Sequence, residues 1–434
     1  AKSPFQLARL TNAMVLTFGW IALGGIASLT LMQAIIVNLH RRFLQSSVAA
    51  SIDGAFKPQV AIILCVRGSD PRLRESLRAI NEQNYEQFLV HIVADDPHDA
   101  AIETVRQEME ANLAFQPSLH YLSTPSKARS LKCSAIIEAI SNLEDSIEVI
   151  ALIDSDVIPD PNWLTDLIMP LSDPTVGATT GNRWFASPTP NLASSVRQIW
   201  NGAAVAQMTC YEIPWGGSLA MKRTVLEACN LTEHWSDKFC EDTTLPTQLK
   251  AHQLRVVRVP NLILNNDEST TLKATFHWIS RQLLTVRLYH SAWPLVVIHS
   301  LFSFSCLIAC LVLIPTLFAS GHARAGSLLA IGFTFFQIIN AILFAQIQKS
   351  NLAVIHHRLP DCQIKPSQPG IMAFLVTQAL YPCAILKTIF TRVVSWRGIS
   401  YSIKSRNQIE MVQYQPFAST TNRDVQHNEL DSIN

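Results

Sequence analysis

The amino-acid sequence predicts an α/β domain with a mostly parallel sheet, placed between one N-terminal transmembrane helix and a C-terminal bundle of membrane helices. Three observations lead to this fold class. Uncharged apolar runs stand near both ends of the 434-residue chain. Residues 44–291, between them, have the composition of a soluble domain. Within that segment, short β-branched runs alternate with stretches of helical apolar spacing, which is the pattern of βαβ units.

The first apolar run, residues 13–39, carries no charged side chain. A helix that crosses a bilayer needs about 20 such residues. A cleaved signal peptide would have a shorter apolar region followed by a small-residue cleavage site, whereas this run ends in HRRF. We therefore predict a retained transmembrane anchor over residues 10–43.

The central segment contains a regular succession of predicted strands and helices. The predicted strands are VAIILCV (60–66), FLVHIVA (88–94), LHYL (119–122) and VIALI (149–153). Helical apolar spacing covers 73–80, 100–114 and 130–143. Ligands of such sheets bind beyond the carboxyl ends of the strands. Two acidic clusters follow strands there, namely Asp95-Asp96 and Asp154-Ser155-Asp156.

The cluster Asp154-Ser155-Asp156 places two carboxylates one residue apart at the end of a buried run. Like charges repel, and burying them is costly without compensation. Mg²⁺ and Mn²⁺ prefer oxygen ligands and often share their shell with substrate phosphates. We predict that Asp154 and Asp156 bind such a metal, and that without it they destabilise each other and are loosely ordered. The alternative is a solvated turn.

Phosphate-binding glycine motifs are missing from the sequence. It contains neither GxGxxG after the first strand nor GxxxxGK[ST] anywhere. A diphosphate at this sheet would therefore be held by carboxylates through a cation. Lys132 is a further candidate phosphate ligand, the alternative being a lone surface lysine.

A second acidic pair, Glu241-Asp242, precedes a helical pattern. It is either a helix N-terminal acidic pair or a general base that takes the proton of an attacking hydroxyl. The preceding segment PWGGS (214–218) contains two glycines, which allow a close backbone approach to a ligand or simply form a tight turn.

Arg281 and Gln282 lie in HWISRQLLTVRLYH (277–290), just before the second apolar run. Both are candidate ligands of a diphosphate, and Arg281 would supply positive charge where leaving-group charge develops. The alternative is a juxtamembrane basic helix at lipid headgroups. The amphipathic stretch 189–211 is either an interfacial helix that admits a lipid or an ordinary core-packed helix.

The C-terminal region contains three further apolar runs, 292–319, 326–347 and 370–386. We assign residues 292–394 to membrane helices. Basic residues follow the first, third and fourth spans, so strict alternation would place the last group outside, and we predict that 370–391 is re-entrant or interfacial. Residues 395–434 are predicted to form an interfacial segment and a polar tail, disordered beyond about residue 405.

Charge and cysteine content exclude some function classes. The formal net charge is +1, so no global signal for nucleic-acid binding exists. The nine cysteines are scattered, with neither a CxxC nor a metal-site spacing, and are predicted to be reduced thiols.

These features, in this order, resemble the inverting glycosyltransferases of the GT-A fold, and within them the ceramide glucosyltransferase-like membrane enzymes. The family pattern of Asp, DxD, (E)D and (Q/R)xxRW is matched by Asp95 or Asp96, Asp154-Ser155-Asp156, Glu241-Asp242 and RQLLT (281–285). The resemblance covers roughly residues 10–400. The last motif departs from the pattern, since Leu284-Thr285 stands where the family has Arg-Trp, and that Trp lies near the acceptor.

The resemblance implies a UDP-sugar donor, UDP-glucose first, a divalent metal at the DxD, and inversion at the sugar C1. It implies that Asp95 contacts the nucleotide, Asp154 the ribose or sugar, Asp156 the metal, and that Asp242 is the base. The implied acceptor is a membrane lipid such as ceramide, with the catalytic domain of a multi-pass membrane protein facing the cytosol. The alternatives are a processive polysaccharide synthase and a non-catalytic relative.

Overall fold

The computed structural model describes residues 4–46, 56–68, 70–111, 116–122, 125–187, 189–360, 362 and 364–415, with side chains from residue 12 onward. The central domain is built on one seven-stranded sheet with strand order β3-β2-β1-β4-β6-β5-β7. Its strands are β1 (Val60–Val66), β2 (Phe88–Ala94), β3 (Ser118–Tyr121), β4 (Val149–Asp154), β5 (Val176–Phe185), β6 (Ser218–Lys222) and β7 (Arg255–Asn266).

The sheet is mostly parallel, as the sequence predicts. Only β6 runs against its neighbours β4 and β5, whereas β1 pairs in parallel with β2 and β4. The first two strands have the predicted bounds, and the next two differ by one residue at their ends. Strands β1 and β4 are apolar on both faces because each face is covered by helices and buried in its own core cluster.

The helices of this domain cover both faces of the sheet. They are α2 (Leu73–Asn81), α3 (Ala100–Ala111), α4 (Leu131–Ser141), α5 (Trp163–Ile168), α6 (Leu192–Tyr211), α7 (Arg223–Ala228), α8 (Leu231–His234), α9 (Leu245–Ala251) and α10 (Leu272–Tyr289). Helix α4 begins after Ser130, whose side chain accepts a hydrogen bond from Cys133 N. This cap fixes the first turn of α4, which carries Lys132.

Helix α6 decides between the two interpretations of the amphipathic stretch 189–211. Most of its residues are buried, and it packs against β5, the N-terminal helix and the membrane helices. It begins in a capping box formed by Asn191 and Ser194. It is therefore a core-packed helix between the central domain and the membrane helices.

Among the residues that the structure describes, four helices are long and apolar enough to cross a membrane. They belong to α1 (Pro4–Gln45), α11 (Trp293–Ala319), α12 (Ala323–Arg358) and α13 (Ile371–Phe390). Helix α13 corresponds to the segment predicted to be re-entrant or interfacial. It is one helix of 20 residues that contains Pro382 and is about 30 Å long. It packs against α6 and α10 of the central domain, and the sheet that follows it joins the core of that domain, so the interfacial arrangement stays a prediction.

The C-terminal end differs from the predicted interfacial segment and polar tail. Strands β8 (Val393–Trp396), β9 (Ile399–Ser405) and β10 (Gln408–Tyr414) form a separate antiparallel sheet. Its buried side chains alternate along the chain and join the core of the central domain, namely Ile399, Tyr401, Ile403, Ile409 and Met411. The prediction of disorder beyond about residue 405 was wrong for 406–415, because this period-2 alternation is weak among polar residues. The rest of the predicted tail lies outside the described residues.

Candidate active site

A cavity of about 350 Å³ lies at the carboxyl edge of the parallel strands. Its charged lining residues are six cations and six acids, namely Arg67, Lys132, Arg183, Arg197, Arg281, Arg397, Asp95, Asp154, Asp156, Glu241, Asp242 and Glu268. Every predicted site residue, including Gln282, lines this cavity, with the exception of Asp96. Asp96 instead accepts a hydrogen bond from His98 N in a turn.

Lys132 lies between two of the predicted acids. Its Nζ is 2.8 Å from Asp154 Oδ1 and 2.8 Å from Glu241 Oε1. Burial alone would lower the pKa of Lys132, but the two carboxylates outweigh it and raise that pKa well above its usual value. Lys132 likewise outweighs burial at Asp154 and lowers the pKa of that carboxyl. The interpretation of Lys132 as a lone surface residue was therefore wrong.

Asp154 and Asp156 have different surroundings. Asp154 forms an ion pair with Lys132, which corrects the expectation that the two carboxylates would both be loosely ordered. Asp156 Oδ2 accepts a hydrogen bond from Asn266 Nδ2 at 3.1 Å and lies 4.0 Å from Arg183 Nη1. Burial, and then the charge of Asp154, raise the pKa of Asp156. An incompletely compensated carboxylate therefore faces the cavity.

The two glycines of PWGGS approach carboxylates that line the cavity. Gly216 N donates to Asp242 Oδ2 at 2.9 Å. A Cβ at Gly216 would overlap Glu241 Oε1 and lie 3.2 Å from Asp242 Oδ2, and one at Gly217 would lie 2.5 Å from Asp154 Oδ2. The close approach anticipated from the sequence is thus an approach to the protein's own acids.

Replacing Gly216 with alanine is expected to abolish most activity, because the new methyl group displaces Glu241 and the Asp242 hydrogen bond. Activity measured on purified protein, together with the melting temperature, checks this. Gly24→Ala is the matched control, since its Cβ meets nothing within 4 Å. Equal activity of both variants would contradict the role assigned to the close packing at Gly216.

Asp95 is tied to the C-terminal sheet. Its Oδ2 forms an ion pair with Arg67 Nη1 and accepts a hydrogen bond from Tyr414 Oη at 2.7 Å, whereas its buried Oδ1 has no partner among the residues that the structure describes. Arg67 also donates to the carbonyls of Arg397 and Gln415. The C-terminal sheet therefore closes one side of the cavity.

Trp396 and Arg397 enter the cavity from the β8–β9 turn. Both the Arg281 and the Arg397 guanidinium groups lie over the Trp396 ring, at 5.0 and 5.5 Å from its centroid. Arg397 Nη2 also donates to Asp70 Oδ2 at 2.8 Å. Burial, and then repulsion from Arg183 and Arg397, lower the pKa of Arg281 to about 10. The sequence analysis did not identify Trp396 or Arg397 as part of the site.

Arg183 and Arg197 were also missed. Arg183 lies 5.3 Å from the ring centroids of both Trp215 and Trp278. Arg197 lies 4.2 Å from the ring centroid of Phe185. A charged residue inside the buried strand β5, and another on the buried helix α6, are the signals that identify them, because buried arginines need compensation. Positively charged side chains thus line the cavity beside the carboxylates and are available to bind phosphates directly.

A second cavity of about 220 Å³ lies between α6, α10 and the membrane helices. It is lined mainly by apolar side chains such as Trp200, Met208 and Phe344. It shares four lining residues with the first cavity, namely Trp215, Asp242, Gln282 and Thr285. A polar cavity and an apolar cavity therefore meet at Asp242.

The mostly parallel sheet, the acid-lined cavity at its carboxyl edge and the attached apolar helices are the features that the sequence analysis expected of a GT-A-type glycosyltransferase. The chain belongs to glycosyl transferase family 21, whose family model matches residues 25–409.

Solved structures with similar chains include two other transferases. A mannosyltransferase from Pyrobaculum calidifontis, solved with GDP-Man and Mn²⁺, is 16% identical with a TM-score of 0.49, over 86% of this chain and 99% of that chain. Glucosyl-3-phosphoglycerate synthase from Mycobacterium tuberculosis, solved with Mn²⁺, UDP and glucosyl-3-phosphoglycerate, is 11% identical with a TM-score of 0.33, over 54% and 82%. No curated protein matches the chain.

Proposed function

We propose that this protein transfers a hexose from a UDP-sugar, with UDP-glucose as the first candidate, to the hydroxyl of a membrane lipid such as ceramide. One observation carries the proposal. The polar cavity and the apolar cavity between the membrane helices share Asp242 in their walls. A water-soluble donor and a lipid acceptor can therefore meet at one carboxylate.

The polar cavity suits a nucleoside diphosphate sugar. The unpartnered Oδ1 of Asp95 is an acceptor for a base N–H, and the aromatic rings of Trp396 and Tyr401 line the same cavity. Arg281, with Gln282 beside it, supplies donors for the diphosphate. Arg281 also stabilises the negative charge that develops on the departing UDP.

The carboxylates of the polar cavity also fit a divalent metal. No group of three or more His, Cys, Asp or Glu side chains forms a metal site among the described residues. Two carboxylates plus substrate phosphates are a common Mg²⁺ environment, and the incompletely compensated Asp156 is suited to it. Asp156, with Asp154, would hold the ion. When bound, the metal neutralises diphosphate charge and makes UDP a better leaving group.

Asp242 is the proposed general base. Its Oδ2 is oriented by Gly216 N–H, and the carboxylate lies where the lipid hydroxyl would enter. The hydroxyl oxygen attacks the sugar C1 as its proton passes to Asp242, and the bond from C1 to the UDP oxygen breaks. This single displacement inverts C1. Glu241 acts through Lys132, which it holds against Asp154.

The test is transfer by purified full-length protein from a panel of UDP-sugars to a total lipid extract, with products identified by mass spectrometry. We expect a lipid carrying one added hexose, and loss of that product in EDTA with recovery on adding Mn²⁺ or Mg²⁺. A long polysaccharide would instead support a processive synthase. Absence of any product with every donor would support a non-catalytic relative.

We propose that the catalytic domain faces the cytosol in a multi-pass membrane protein. Arg41 and Arg42 stand where α1 meets this domain, and basic residues favour the cytosolic side. A cysteine introduced beyond residue 415 should then resist a membrane-impermeant thiol reagent in intact cells. Labelling of that cysteine would place the tail outside the cell and contradict the proposed orientation.

A further inference from the structure

Four of the polar residues that line the apolar cavity lie on helices α1, α11 and α12. They are Gln33 on α1, His299 and Ser303 on α11, and Asn340 on α12. Each carries a buried polar atom that forms no hydrogen bond within the described part of the chain, respectively Oε1, Nε2, Oγ and Nδ2. We refer to these four residues as the polar cluster.

Unpartnered atoms of this kind are costly in such surroundings. A buried polar group without a hydrogen bond destabilises the folded protein, because the loss of its hydration is not compensated. Other polar groups in the same bundle satisfy each other, since the Gln337 and Gln378 amides exchange hydrogen bonds of 3.2 and 3.0 Å. The four atoms of the polar cluster are therefore available to form hydrogen bonds with a ligand.

The chemistry of the polar cluster indicates an uncharged ligand group. The Gln207 amide nitrogen lies 3.4 Å from His299 Nδ1, so that Nδ1 accepts and Nε2 carries the proton and donates. Asn340 Nδ2 also donates, Gln33 Oε1 accepts, and the Ser303 hydroxyl does both. Donors and acceptors without a formal charge match a hydroxyl or an amide and not an anion or a cation.

The position of the polar cluster separates it from the reacting hydroxyl. His299 and Ser303 lie six and ten residues after Trp293, the first residue of α11. At 1.5 Å per residue they are roughly 9 and 15 Å along the helix from its end beside the catalytic domain. Spaced four residues apart, they share one face of α11. A lipid with its hydroxyl at Asp242 would therefore reach the polar cluster with its chain region.

We propose that the polar cluster is a subsite for a second hydrogen-bonding group, a hydroxyl or an amide, in the interior part of the acceptor lipid. This inference rests on the proposed lipid acceptor. It predicts that the enzyme distinguishes acceptors by a polar group remote from the bond being formed, and prefers a lipid that has it over one with a plain hydrocarbon chain. An analogue without the group leaves the polar cluster unpaired, which lowers its kcat/KM.

The test uses matched ceramide pairs that differ by one hydroxyl, on either the long-chain base or the acyl chain. We expect the wild-type protein to favour one hydroxylated member by roughly 10-fold or more in kcat/KM, the equivalent of one well-formed hydrogen bond. Ser303→Ala and Asn340→Ala should lose that preference and keep their turnover of the plain lipid. Ser305→Ala, on the exposed side of α11, should keep the preference for the hydroxylated lipid.

Two outcomes would overturn the subsite. One is equal kcat/KM for both members of every pair, as expected if water occupies the polar cluster. The other is an equal loss on both lipids in the Ser303 and Asn340 variants. If no ceramide is glycosylated, the proposed function fails, and the subsite is then judged by melting temperature in detergent. The subsite is supported if the hydroxylated lipid raises the melting temperature more than the plain lipid does, and if Ser303→Ala abolishes that difference. Equal rises in melting temperature with the two lipids reject it.

Discussion

Asp242→Asn is expected to reduce sugar transfer by roughly 10²–10⁴-fold, the usual contribution of a general base. The amide retains the shape of the side chain and an oxygen for one of the two backbone donors, Gly216 N–H and Thr243 N–H. It cannot take the proton of the proposed acceptor hydroxyl. We therefore expect kcat to fall while the affinity for the UDP-sugar and the melting temperature stay near wild-type values. Steady-state kinetics with saturating lipid measure the first, and UDP binding measures the second.

The control for this variant is Asp145→Asn, which makes the same chemical change at a fully exposed position. It should leave kcat unchanged. Full transfer activity in the Asp242 variant would remove this carboxylate from the mechanism. A parallel loss of UDP binding would instead assign Asp242 to the donor site.

Lys132→Met is expected to remove activity and to destabilise the protein by roughly 3 kcal/mol, the lower end of the cost of breaking a buried ion pair. The loss leaves Asp154 and Glu241 without the cation that lies 2.8 Å from each. Their pKa values in the folded state should both rise above the unfolded values. The folded variant then binds protons more readily than the unfolded chain, so its stability increases as the pH falls.

Thermal unfolding at two pH values checks this charge argument. The difference in melting temperature between wild type and Lys132→Met should be smaller at about pH 5 than at about pH 8. Adding Asp154→Asn to Lys132→Met should recover part of the melting temperature without restoring activity. Lys127→Met, at an exposed position, is the control. A pH-independent difference would show that the effect comes from packing and not from the uncompensated acids.

The sequence predicted the local features well because they depend on short-range patterns. The apolar runs of the four membrane helices and the first four strands need only length and composition to be recognised. The acids Asp95, Asp154 and Asp242 were found because each directly follows or precedes a recognisable element. Parallel strands bring their carboxyl ends to one edge, so the acids were expected to gather there, and they do.

The missed site residues either lie far along the chain from the predicted acids or carry a signal that depends on knowing which elements are buried. Trp396 and Arg397 lie more than 100 residues after Arg281, beyond three helices, in a segment with no apolar run of its own. Arg183 is one charge within a strand that the sequence analysis did not identify. Thr285 departs from the family motif, yet it lies where the two cavities meet. Trp278, on the same helix, and Trp396, on β8, line the polar cavity.

The sequence by itself determined the class of fold, the membrane-suited helices and most of the acidic residues of the site, because hydrophobic periodicity and strand-end position are properties of neighbouring residues. Only the tertiary structure decided which charge compensates which. Lys132 is paired with Asp154 and Glu241, and Arg67 with Asp95, across separations of 22, 109 and 28 residues. Such pairs depend on how helices and strands pack, because charges lower one another's energy through space and not along the chain.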